Sequence, residues 1–164
     1  MNYDQISLIR ETWPAVASNA DALTATFYAR LFEIDAPAAN LFAHVDMAAQ
    51  RKKLAQSLAV VVAALDDPDS LLPAISALGK RHTHYGVEHH HFESVGEALL
   101  TALGTTLGDG YTQDVHDAWA EAYALVAAVM KRALVRAEGA AGGGVETTSP
   151  AAATSEKAEH ADMQ

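Results

Sequence analysis

Through most of the chain apolar residues recur at steps of three and four, the spacing that gathers them on one face of a helix. Six such stripes follow one another. Ile6, Ile9, Trp13 and Val16 form the first, and Leu23, Phe27 and Leu31 the second. Leu54, Leu58, Val61 and Leu65 form the third, and Leu71, Ile75, Leu78 and His82 the fourth. Phe92, Val95, Leu99, Leu103 and Leu107 form the fifth, and Val115, Trp119, Ala122, Val126, Val129 and Ala133 the sixth. No stretch alternates convincingly as a strand. Breakers separate the stripes. Ala36-Pro37 opens a short helical turn, and Asp66-Asp67-Pro68-Asp69 ends the third helix and offers a cap and a first-turn proline to the fourth. Gly108-Asp109-Gly110 stops the fifth helix and Thr112 can cap the sixth. Pro14 lies inside the first stripe and is expected to kink that helix or mark a late start. Six long helices with uneven connections predict an all-α fold with orthogonal packing rather than a regular four-helix bundle.

The pattern stops near residue 137. Residues 138–164 begin Glu-Gly-Ala-Ala-Gly-Gly-Gly and continue as a Thr/Ser/Pro/Ala/Glu mixture almost without large apolar side chains. Such a segment cannot offset its own ordering entropy, so a disordered polar tail is expected after one domain spanning 1–137. The formal charge is −10, of which the tail carries −4. An acidic body without a basic stripe argues against nucleic acid as a partner. The basic run Arg51-Lys52-Lys53 reads as a solvated helix face.

There is no cysteine, which removes disulfides, zinc–thiolate sites, iron–sulfur clusters and cysteine nucleophiles. The apolar run Leu54–Leu65 is too short and broken to span a bilayer, and the N-terminus has no signal-peptide character, so a cytoplasmic address is expected.

Candidate chemistry centres on His82, which continues the stripe of Leu71, Ile75 and Leu78 and so points toward the core. A buried imidazole needs a partner or a ligand. Taken alone, it reads either as a core histidine bonded to a backbone carbonyl or as a metal ligand. Gln50 and Leu54 stand at i and i+4 on the preceding helix, Tyr28 follows Phe27, and Phe42 follows Leu41 in an irregular stretch. One neutral imidazole, two polar side chains and an apolar lining suit a flat apolar cofactor with one open metal position. The run His89-His90-His91 reads as a solvated loop entering the fifth helix, with an adventitious metal site as the alternative.

The segment Leu78-Gly79-Lys80-Arg81-His82-Thr83-His84-Tyr85-Gly86-Val87 resembles the proximal segment of bacterial single-domain haemoglobins, relatives of the globin domain of flavohaemoglobins. Thr26–Phe32, Pro37 through Phe42, Gln50–Leu54, Val95–Leu100 and Ala118–Tyr123 carry the same resemblance, with 32 residues from Gln50 to His82. It implies a globin fold around haem b, with His82 as the proximal iron ligand and Phe42 stacked on the porphyrin. Tyr28 and Gln50 would face bound gas, Leu54 would wall that pocket, and Val87 would pack on the haem edge. Pro37 would shape the corner that presents Phe42. His44 is a conceivable sixth ligand, although Gln50 fills the usual distal position.

Two departures matter. Flavohaemoglobins orient the proximal imidazole with a tyrosine ten residues after it and a glutamate on the last helix. Phe92 and Leu134 stand at those places here, and Glu138 lies a turn further on. The carboxylate that would make His82 more electron-donating is therefore missing from its usual position. The resemblance implies a protein that holds O2, and also NO or CO, for carriage, storage or delivery. The alternative is nitric oxide dioxygenation. Residues after 137 do not read as a flavin or nicotinamide domain, so turnover would need an external reductase. A haem-based sensor is the weakest reading, since the tail is too short for an output domain.

Overall fold

A computed structural model describes residues 1–84 and 86–143, and these form an all-α fold without strands. Six α-helices run Tyr3–Ser18 (α1), Ala20–Ile34 (α2), Met47–Ala63 (α3), Pro68–His84 (α4), His91–Leu107 (α5) and Gln113–Gly143 (α6). A 3-10 helix spans Ala36–Phe42 and another Gly108–Gly110. Each predicted stripe lies on its own helix, except that Leu65 of the third falls in the turn just after α3.

The helix ends follow local chemistry. Asn2 and Gln5 close a reciprocal capping box on α1, with hydrogen bonds of 2.8 and 3.0 Å. Asp46 accepts from Ala48 N at the start of α3, and Thr112 accepts from Val115 N at the start of α6. Pro68 opens α4 as expected. Gly108 takes φ +54°, a left-handed value that ends α5. Pro14 does not mark a late start, because α1 begins at Tyr3 and passes through it. α6 continues as helix to Gly143, six residues past the expected boundary at 137, and residues 144–164 of the expected tail lie outside the described residues.

α2 packs on α5, α4 on α6, and α1 on α6. One core cluster joins Ile9, Val16, Leu23, Phe27, Leu31, Leu103 and Trp119. A second, beneath α4, joins Leu71, Ile75, Phe92, Met130 and Leu134. Trp119 also donates its indole N–H to Thr12 Oγ1 at 3.0 Å, tying α6 to α1. Leu54, Leu58 and Val61 on α3 remain half-buried because they face a cavity instead of another helix.

Gly79 sets how closely α4 lies on α6. A Cβ built there would stand 2.7 Å from Ala133 Cβ and 3.0 Å from the Met130 backbone. Only glycine admits this approach, three residues before His82.

Candidate functional site

The cavity lies between α3 and α4, floored by α2, α5 and α6, and its lining is mostly apolar. His82 lines it from α4, Tyr28 from α2, Gln50 and Leu54 from α3, Phe42 from the 3-10 helix, and Val87 from the α4–α5 connection. Six of the seven residues singled out in the sequence thus come together. Pro37 does not line the cavity; it is exposed in the first turn of the 3-10 helix, upstream of buried Ala38, which does. His44 is exposed and also absent from the lining.

Tyr28 and Gln50 are both buried, and Gln50 Nε2 donates to Tyr28 Oη at 2.8 Å. The phenol therefore accepts one hydrogen bond and keeps its own hydrogen to donate. Burial pushes the phenol up to about 12, against a smaller opposing effect of the Gln50 bond, so it stays protonated at neutral pH. Phe27 and Phe42 meet the Tyr28 ring edge-on, with centroids 4.8 and 5.5 Å away, which fixes where the hydroxyl sits.

On the other wall His82 Nδ1 lies 2.6 Å from Leu78 O, one turn back on α4. A carbonyl only accepts, so Nδ1 carries the hydrogen and Nε2 is the nitrogen equipped to ligate a metal. Burial lowers the tendency of this imidazole to protonate, keeping it in the neutral, ligating form. Phe92 and Leu134 are buried apolar side chains at the two positions discussed above. The side chain of Glu138 lies outside the described residues. Tyr123 borders the cavity from α6, but its hydroxyl donates to Phe92 O at 2.5 Å.

Ser57 and Tyr123 also line the cavity and were not singled out; Lys53 and His91 line it too, which corrects their reading as fully solvated. Lys53 was legible, being three residues from Gln50 on one helix face. His91 corrects the expectation of a wholly solvated histidine run: it is buried, and its Nδ1 accepts from Glu88 N at 2.8 Å.

A helical fold enclosing an apolar slot, with a neutral imidazole on one wall and a tyrosine–glutamine pair lining the same slot, defines a haem protein for small gas ligands. The chain belongs to the globin family, whose model matches residues 25–130. It is 34% identical over 124 residues to a flavohemoprotein of Rhodopirellula baltica, an alignment covering 74% of this chain and 30% of that protein. A flavohemoprotein of Bordetella parapertussis is 32% identical over 143 residues, covering 84% and 36% respectively. The chain thus spans about a third of the length of these curated relatives. Among solved structures, a provisional nitric oxide dioxygenase of Rhodothermus marinus, engineered as a carbene transferase, superposes with a TM-score of 0.79 at 27% identity. That match covers 87% of this chain and 99% of the other. As a globin, the protein binds haem, and the lining just described fits that group: apolar faces for the ring and an Nε2 donor for the iron.

Proposed function

We propose that this globin holds dioxygen reversibly, with His82 Nε2 as the iron ligand and Tyr28 and Gln50 as the distal pair. The observation that carries this reading is the buried hydrogen bond from Gln50 to Tyr28. It fixes the phenolic oxygen as an acceptor from one side and leaves its hydrogen for a ligand carrying partial negative charge. Haem supplies the ferrous iron at which a gas molecule is held; selection among gases falls to the protein. Phe42 would stack on the ring, Val87 would pack at its edge and Leu54 would limit the space beside the distal pair. On the proximal side, His82 donates to a neutral carbonyl. A carboxylate partner would have made the ligand more electron-donating. The Nδ1 contact to a carbonyl supports holding the gas over activating it.

Tyr28→Phe removes the donor and leaves the ring. A hydrogen bond to a charged acceptor contributes roughly 1.5–3 kcal/mol, and ~1.4 kcal/mol is a factor of ten. Dioxygen should therefore dissociate roughly ten- to a hundredfold faster from Tyr28→Phe, as read by stopped flow. Carbon monoxide, with less charge on its outer atom, should be released at nearly the wild-type rate. Equal acceleration of both gases, or of neither, would reduce Tyr28 to packing.

Nitric oxide dioxygenation with an external reductase is the second reading. It is favoured by the similarity to flavohemoproteins and to the provisional dioxygenase, and the same distal pair would serve it. Sustained NO consumption under excess reductant, against a single stoichiometric turnover, separates the two.

A further inference from the structure

Asp35 ends α2 and leads directly into the 3-10 helix that carries Phe42. His90 and His91 close the connection that carries Val87 and begin α5. The structure brings these two places together. Asp35 Oδ2 lies 4.0 Å from His90 Nε2 and 4.0 Å from His91 Nε2. The donor atoms of the three residues all lie within 4.8 Å of one another. The two rings lean on each other with centroids 4.1 Å apart. Asp35 and His91 are 11% exposed, while His90 reaches solvent.

We propose that Asp35, His90 and His91 form a site for a divalent transition-metal ion of the zinc, nickel or copper class, placed to clamp the two segments that edge the haem cavity. Two imidazoles and one carboxylate are a borderline-soft donor set, suited to such ions and poorly suited to magnesium or calcium. Zinc–nitrogen bonds are about 2.0–2.1 Å, so donors around a tetrahedral ion stand roughly 3.4 Å apart. Closing the present spacing needs a contraction of about 0.6 Å for each Asp35–histidine pair and up to about 1.4 Å between the two histidines, which rotation of the exposed His90 side chain can supply.

The outer partners are in place for two of the three ligands. The Glu88 carboxylate lies 3.2 Å from His90 Nδ1, where it can hold the Nδ1 hydrogen and present Nε2 to the ion. Ser94 Oγ donates to Asp35 Oδ2 at 3.3 Å. His91 is different. Its Nδ1 now accepts from Glu88 N, so its neutral ring carries the hydrogen on Nε2. Ligation through Nε2 moves that hydrogen to Nδ1 and releases the Glu88 amide. Filling the site therefore resets the connection between Gly86 and His90, on which Val87 rides. The N-terminal dipole of α5 works against a cation here, and the Asp35 carboxylate opposes it.

This inference depends on the chain binding haem and not on the role of Tyr28. Its test uses the haem-loaded full chain and Zn2+ in equilibrium dialysis. Wild type should take up one tight equivalent. His90→Ala, at an exposed position, should weaken that equivalent at least tenfold, and Asp35→Asn should weaken it too. His89→Ala should change it less than threefold. Saturating Zn2+ should also slow haem transfer to an excess of haem-scavenging apoprotein severalfold in wild type and not in His90→Ala. Undiminished Zn2+ affinity in His90→Ala overturns the site, as does loss of binding in His89→Ala, which would mean adventitious chelation by the loop. Haem transfer indifferent to Zn2+ in wild type overturns the clamp.

Discussion

At the scale of single residues, the two walls of the cavity respond to opposite ends of the pH scale. The Tyr28 phenol is raised from 10.0 to about 12 by burial, so the folded state holds this proton more tightly than the unfolded chain does. Its contribution to stability is complete below pH 10 and is lost as pH rises through about 12. Burial raises Tyr123 and Tyr111 in the same direction. Tyr28→Phe should therefore shrink, without abolishing, the fall in melting temperature between about pH 10 and 12. An unchanged alkaline limb would show that Tyr28 is not buried as described. His82 is lowered from 6.5 by burial, so its contribution is present above pH 6.5 and lost as pH falls through the lower folded value. Haem release on acidification should set in below pH 6.5. His82 was legible in the sequence because it continues an apolar helical stripe, whereas Tyr28 and Gln50 were picked out by the resemblance to bacterial haemoglobins. His91 was missed because the run reads as a loop; once α5 begins at His91, that residue stands one turn before Val95 on the apolar stripe.

Among the elements, α4 is the one whose placement decides the site. Its stripe of Leu71 and Ile75 is buried against α6, and Gly79 lets the two backbones meet. An added methyl at Gly79 would strike Ala133 and the Met130 backbone, an overpacking that typically costs about 1–3 kcal/mol. Gly79→Ala should lower the melting temperature by roughly 2–12 °C, given about 2–4 °C per kcal/mol for a chain of this size. It should also speed haem loss, because α4 carries His82. Ala133→Gly in the same chain should recover only part of the loss, since the Met130 backbone contact stays. Full tolerance of Gly79→Ala would mean that the two helices are free to separate. The sequence showed all six long helices through their spacing and breakers. It did not show this contact: a glycine inside a helical pattern looks only like a weak point, and its reason lies 54 residues away on another helix.

For the whole molecule, one compact set of helices holds the cavity, and the polar segment beyond it has no composition with which to add a core. We propose that residues 144–164 are dispensable. A chain ending at Gly143 should melt within a few degrees of the full chain and keep its haem; a large loss of either would show that the segment packs. The close packing of α4 on α6 and the Leu78 carbonyl both orient His82, and the account proposed above rests on one bond, from its Nε2 to iron. The most direct measurement of that bond is the visible spectrum and haem content of His82→Gly, purified with and without added imidazole. Without imidazole the variant should be haem-poor or carry visibly altered axial ligation, and imidazole should restore the wild-type spectrum. Wild-type haem content and spectrum in His82→Gly without imidazole would contradict the assignment.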